Sequence, residues 1–282
     1  MDRTQQSADA TTLRDYFSRF LRNTSRLRAP LPTALRRLTG RGFSGAIFGG
    51  ALRDLMSKGP SAAPRDVDIV VDGVSIQELE GLFSDVLVRK TRFGGLHLNV
   101  QGWMVDVWPL SDTWALKELS ICGRDFEALT RTTFLNVEAA TISLSVQRGA
   151  RMVHAHGFFE GIKSKTLDIN LEENPFPELA AIRTLITAYK LNYALSRRLA
   201  RYVIHYTSRT PIEQLVQIQF SHYGFARFDR NIIHNWVSAV RNQVGTQSVV
   251  RIPSGKPTQM RLWSEQDPEL KESTYATSPQ LP

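Results

Sequence analysis

Cysteine is nearly absent: Cys122 is the one thiol in 282 residues. A single thiol cannot close an internal disulfide, and it excludes any multi-cysteine metal site. Cys122 stands between Ile121 and Gly123 with no His or Asn patterned beside it, so a small packed residue is expected there rather than a nucleophile. Long apolar runs are missing too. No stretch approaches the roughly 20 unbroken apolar residues of a membrane span, and the N-terminus has no apolar core of the signal-peptide kind. Arginines are frequent between residues 14 and 41, as in an organelle transit peptide, but Asp2, Asp9 and Asp15 are out of place in one. A cytoplasmic protein with no membrane partner is expected. Acid is the scarcer charge, with 27 Asp and Glu against 35 Lys and Arg and a net charge of +8. That excess favours polyanionic partners such as RNA, DNA or nucleotides without specifying one.

What is present divides the chain into four parts. Residues 1–42 read as a basic segment, polar and unstructured over 1–10. One or two short helices follow, with Leu13, Phe17, Phe20 and Leu21 at helical spacing and Pro30 and Pro32 breaking the run. The arginines here (Arg14, Arg19, Arg22, Arg26, Arg28, Arg36 and Arg37) suit either a phosphate grip or a solvated face. Residues 43–172 alternate between strand and helix signals. A short apolar strand at 45–48 meets a Gly49-Gly50 turn and a helix to Lys58, and a strand follows at 66–71. Ser75 and Glu78 form a capping box for the next helix. A hairpin then turns at Gln101-Gly102. Residues 173–241 carry four apolar series at helical spacing and read as an all-helical part. Residues 242–282, rich in Ser, Thr, Pro, Gln and Gly, read as a polar, disordered tail.

The most informative acids are Asp66, Asp68 and Asp106. Asp66 and Asp68, two apart on a strand, point to one face while Val67 and Ile69 point to the core. Two like charges side by side oppose folding unless a cation lies between them. Magnesium prefers carboxylate and phosphate oxygens, and a pair of such ions clamps the attacking and leaving oxygens of phosphoryl or nucleotidyl transfer. Gly49 and Gly50, ahead of this strand, expose backbone N–H groups at a helix N-terminus, which is a phosphate-binding device. Asp106 sits alone between Val105 and Val107. A lone acid in an apolar strand is costly without a partner, and a shared metal would supply one.

Together these residues resemble the DNA polymerase β-like nucleotidyltransferase superfamily. The nearer resemblance is to the head domain of poly(A) polymerases and CCA-adding tRNA nucleotidyltransferases. That family's Gly-Gly-x-x-Arg-Asp is matched by Gly49, Gly50, Arg53 and Asp54, and its Asp-x-Asp by Asp66 and Asp68. Thr91-Arg92-Phe93-Gly94 and the Asp106 strand resemble the strand pair that brings the third acid. The family's Arg-Arg-Asp-Phe-Thr-x-Asn segment is matched at Arg131, Phe134 and Asn136, but Thr133 replaces its acid. Where the family reads the incoming base with Glu-Asp-x-x-Arg, only Arg183 remains, and Ala180 stands in place of the Asp.

The resemblance covers roughly residues 43–200. It implies an α/β (α+β) head with a mixed sheet, followed by an all-helical, neck-like domain. It also implies magnesium held by Asp66, Asp68 and Asp106, and a nucleoside triphosphate such as ATP bound by Gly49, Gly50, Arg53, Arg131 and Arg183. The implied acceptor is an RNA 3′ end, with tRNA preferred. The missing base-reading acid also suits a toxin or antiviral-defence enzyme that modifies tRNA or makes nucleotide oligomers. A non-catalytic nucleic-acid-binding module is the third reading, and the intact set of three acids argues against it.

Other groups carry less. His97, His154 and His156 alternate on candidate strands without a further ligand at zinc spacing. Asp112 and Glu118 read as loop and cap residues, or as ligands of a ribose hydroxyl. Arg197, Arg198 and Arg201, with Tyr193, Tyr202 and Tyr206, suit either RNA contacts or a solvated helix face over buried tyrosines.

Overall fold

The computed structural model describes residues 3–22, 30–62, 64, 66–91, 94–119 and 121–253. Helix α1 (Arg3–Arg22) and helix α2 (Pro30–Gly40) open the chain. Helix already begins at Arg3, which corrects the expectation of an unstructured 1–10. Leu13, Phe17 and Phe20 of α1 are buried in the main core, and that anchorage holds the polar first turns in register. Pro30 opens α2, where its missing N–H costs nothing in a first turn. Of the N-terminal arginines, Arg14 donates to the Arg151 carbonyl at 2.8 Å and Arg37 pairs with Asp85. Arg26 and Arg28 lie outside the described residues.

Then come β1 (Ser44–Phe48), α3 (Gly50–Lys58), β2 (Asp66–Asp72), α4 (Ile76–Phe83), β3 (Leu87–Lys90), β4 (Leu96–Val100), β5 (Trp103–Pro109), α5 (Trp114–Glu118), α6 (Phe126–Thr130), β6 (Ala140–Gln147), β7 (Ala150–Ala155) and α7 (Phe158–Ser164). Among the described residues these build a seven-stranded sheet in the order β3-β4-β5-β2-β1-β6-β7. It is mixed: β2 and β5 run parallel, and the other pairs antiparallel. The capping box forms as expected, with the Ser75 side chain accepting from the Glu78 N–H and the Glu78 carboxylate accepting from the Ser75 N–H. Gln101 and Gly102 both take positive φ, 52° and 89°, the backbone a two-residue hairpin needs. The Thr91–Gly94 match lies partly outside the description, since it includes Arg92 and Phe93.

One face of this sheet is dry. Ile47, Val67, Ile69, Leu96, Leu98, Val105, Val107 and Ile142 pack there against α1 to α4. Strand alternation sends the intervening residues to the other face, among them Asp66, Asp68, His97, Asp106 and Trp108. Val70 on that second face is covered by Leu110, Leu116, Ala128 and Leu129, so the face is closed near α5 and α6.

Gly95 fixes where Trp108 lies. A methyl group on Gly95 would stand 2.1 Å from Trp108 Nε1 and 2.2 Å from its Cδ1, and the indole meets Phe48 edge-on at 6.1 Å. Gly95→Ala should therefore expel the indole and cost about 1–3 kcal/mol, the usual range for overpacking. A lower urea midpoint at unchanged slope is the expected result; an unaltered midpoint would contradict the packing.

The remaining elements are β8 (Thr166–Leu167), α8 (Pro177–Leu191), β9 (Ala194–Ser196), α9 (Arg197–Thr207), α10 (Ile212–Tyr223), α11 (Arg230–Gln243) and β10 (Val249–Val250). The helices share a second core with Leu185, Leu199, Val203, Leu215, Ile233, Trp236 and Val240 at its centre. The all-helical expectation needs one correction. A small sheet in the order β10-β9-β8 runs through this part, and Val250 and Ile252 are buried. The expected tail after Asn242 is thus packed as far as Ile252; residues 254–282 lie outside the description. Such short strands carry too few residues for a period-2 pattern to register. Among the described residues no helix is long and apolar enough to cross a membrane.

Candidate active site

Register brings the three acids to one place. Asp68 is the direct partner of Asp106 across the parallel β2–β5 pair, and Asp66 is two residues back on the same strand. All three occupy the open face of the sheet, at the edge of β1, whose last residue, Phe48, pairs with Asp68. Burial, then Asp66, Asp106 and Glu138, push the Asp68 carboxyl well above the usual carboxylate range, and Arg183 pulls it back only in part. Negative charge is therefore crowded here.

Directly above Asp68 the chain turns from β1 into α3. Gly49 caps α3 with φ 75° and ψ −135° and offers no side-chain cap. A Cβ at Gly49 would lie 3.8 Å from Asp68 Oδ2, so the positive φ, rather than crowding, requires glycine. The Gly49 N–H donates to the Ala140 carbonyl at 3.3 Å, and the Gly49 carbonyl accepts from Leu52 and Arg53. The N–H groups of Gly50 and Ala51, in the first helical turn, have no acceptor within the helix. An anion at this end would meet those donors and the positive end of the helix dipole.

Arg53 lies beside the turn, its guanidinium 3.3 Å from where a Cβ on Gly50 would stand. Its guanidinium is held by Asp54 at 2.9 Å and by Glu138 Oε1 at 2.7 Å. Burial works against its charge, but Glu138, Asp54 and Asp66 together hold it above its ordinary value. Arg53 thus fixes α3, and with it the Gly49–Gly50 turn, to the 3-10 turn Asn136–Glu138. Arg183, half exposed, approaches the other oxygen of Glu138 at 3.9 Å, which brings it to the rim of the same site. Arg131 is turned elsewhere, to Glu127 at 3.3 Å. Phe134 packs on Tyr202. Asn136 braces β8, through the Thr166 carbonyl and the Asp168 N–H just beyond it.

Two residues at the site, Glu138 and His97, are missing from the sequence-based set, and only the first was hidden. Glu138 gathers Arg53 and Arg183, partners 85 and 45 positions away, and no local pattern announces such a contact. His97 was legible. A hairpin turning at Gln101–Gly102 pairs Val100 with Trp103, and three steps outward it pairs His97 with Asp106. Nδ1 of His97 does contact Oδ1 of Asp106. Weighing His97 only as a zinc ligand missed this partner.

Ala180 is buried in the second core. Glu178 lies toward α9, where burial first, and then Tyr206, Glu172 and Glu178, raise the Tyr202 hydroxyl. Tyr193 and Tyr202 are buried, while Arg197 and Arg198 point outward to the Gln247 carbonyl and Glu172. That favours the solvated-face reading of α9. Cys122 is exposed rather than packed.

The donor set fits magnesium in type, in shared face and in the charge that a cation would neutralise. Among the described residues no three His, Cys, Asp or Glu side chains are already gathered as a metal-binding group, and Asp106 leans to His97 on β4.

The same fold is found in tRNA-processing enzymes. The Thermotoga maritima CCA-adding enzyme complexed with tRNA matches with a TM-score of 0.53 and 16% identity, over 71% of this chain and 48% of that one. A CCA-adding enzyme in complex with CTP matches with 0.52 and 17%, over 72% and 50%. A tRNA nucleotidyltransferase complexed with a primer tRNA and an incoming ATP analogue matches with 0.51 and 20%, over 71% and 57%. No protein-family model matches the chain, and no curated protein sequence matches it. The chain spans about half the length of these structures. An α/β head with a mixed sheet followed by a helical part is thus the architecture, a fold shared with these structures.

Proposed function

We propose that this chain is a metal-dependent nucleotidyltransferase. It transfers a nucleotide from a nucleoside triphosphate to an acceptor hydroxyl, preferably at an RNA 3′ end such as that of tRNA, and releases pyrophosphate. The observation that carries this is the placement of Asp66, Asp68 and Asp106 on one open face beneath the uncapped N-terminus of α3. A phosphate seated on the Gly50 and Ala51 N–H groups would lie next to the acids. The fold similarity to tRNA-bound enzymes agrees with it.

Magnesium held by Asp66, Asp68 and Asp106 would neutralise the triphosphate and make the acceptor hydroxyl a better nucleophile. The protein supplies the rest by position. Gly49 turns the chain so that the helix end faces the acids. The Arg53–Glu138 pair fixes that helix against the 3-10 turn. Arg183 at the rim is the candidate contact for the incoming base, and Arg131 a more distant one for nucleotide or RNA phosphate. Incubation with each labelled nucleoside triphosphate, magnesium and total RNA tests the reading. Labelled RNA supports it. Free nucleotide oligomers would favour defence signalling, and no product would favour a binding module.

Base choice follows from the lost acid. A guanidinium donates hydrogen bonds but accepts none, so Arg183 alone cannot bond the amino group of adenine or cytosine. A polar edge left unpaired or water-filled discriminates weakly. A comparison of all four ribonucleotides under matched conditions should show relaxed choice, or a preference unlike CCA addition. Strict CTP-then-ATP addition would mean that a carboxylate elsewhere accepts from the base. Glu138, beside Arg183, is then the residue to replace.

A further inference from the structure

The carboxylate of Asp106 is claimed by a neighbouring side chain on the open face. His97 and Asp106 are direct cross-strand partners, both on that face, and each is about four-fifths buried, with exposures of 19% and 23%. Their contact is Nδ1 to Oδ1. An ionised carboxylate has only acceptors, so opposite one the imidazole must carry its hydrogen on Nδ1 to donate. Strand β5 lies between β4 and β2. Oδ1 is therefore held on the β4 side, and Oδ2 is left for the side where Asp66 and Asp68 stand. An isolated Asp has two soft torsions and would sample many orientations; one fixed oxygen removes most of that freedom.

We infer that His97 is a positioning residue that orients Asp106 for the metal shared with Asp66 and Asp68. The inference rests on the metal-site reading above. The nitrogen nearest the backbone is the one in use, so the geometry specifies which substitute should work. An Asn amide nitrogen reaches about as far as Nδ1 of His, whereas a Gln amide nitrogen reaches about as far as Nε2.

The test is a titration of the metal-free full chain with Mn2+, followed by electron paramagnetic resonance, for wild type, H97A, H97N and H97Q. Melting temperatures in chelator are measured in parallel. H97A and H97Q should weaken Mn2+ binding roughly tenfold or more, the usual effect of removing a group that orients a metal ligand. H97N should recover most of the affinity. Transfer rates at limiting magnesium should follow the same order and converge as magnesium is raised. Unchanged or tighter Mn2+ binding in H97A would overturn the inference while leaving the metal site standing. A fall in chelator melting temperature shared by all three variants, with no rescue by H97N, would also overturn it and make His97 a packing residue. A wild-type protein that binds no Mn2+ would contradict the metal site itself.

Discussion

Asp68→Asn should abolish nucleotide transfer and leave the metal-free protein as stable as the wild type or more so. The carboxyl of Asp68 is held well above the usual range by burial and by Asp66, Asp106 and Glu138. A carboxyl raised in the folded state binds its proton more tightly there than in the unfolded chain. Its contribution to stability is therefore unfavourable once pH exceeds the unfolded value. Asn keeps the shape and removes the charge, so the repulsion disappears. Catalysis moves the other way, because a neutral amide is a poor magnesium ligand. A loss of at least about 10³-fold is expected, which corresponds to roughly 4 kcal/mol of transition-state stabilisation. Thermal melts in chelator and single-turnover transfer assays check the two halves separately. A clear drop in chelator melting temperature would mean that Asp68 has a structural partner in place of a metal.

Arg53→Met should destabilise the fold by about 3–5 kcal/mol, the cost of breaking a buried pair by removing one partner. Asp54 and Glu138, only 15% and 18% exposed, would lose their nearest counter-charge. The lower end of the range is expected, because Lys58 stays 3.8 Å from Asp54 and Arg183 stays 3.9 Å from Glu138. Combining the change with Glu138→Gln should cost less than the sum of the two, since both remove the same contact. Urea denaturation of the two single variants and the double variant reads this directly. If Arg53 served only the triphosphate, stability would hold and KM for the nucleotide alone would rise. Its ion pairs tie α3 and the Gly49–Gly50 turn to Glu138, a contact that Gly-Gly-x-x-Arg-Asp as a string does not reveal.

The head was legible where the pattern was local. Alternation in Asp66-Val67-Asp68-Ile69 gave the face of the acids, and the glycines gave the turn above them. The capping box at Ser75 and the turn at Gln101 set two further boundaries. Long-range contacts were not legible. The helix from Arg3 exists because Leu13 and Phe17 find a core contributed by distant strands. β8, β9 and β10 are too short to show a period. Glu138 gained its place from Arg53 and Arg183, partners far away in sequence. His97 fell between these cases, since the hairpin register that pairs it with Asp106 could be counted from the turn.

The central claim is that Asp66, Asp68 and Asp106 hold metal beneath a triphosphate seated on α3. A crystal structure with Mn2+ and a non-hydrolysable ATP analogue, with anomalous scattering recorded for manganese, tests it most directly. Anomalous peaks bridging these three carboxylates, with phosphate oxygens within hydrogen-bond reach of the Gly50 and Ala51 N–H groups, are the predicted result. Manganese or triphosphate bound away from the β2–β5 face, with the three carboxylates unliganded, would contradict it.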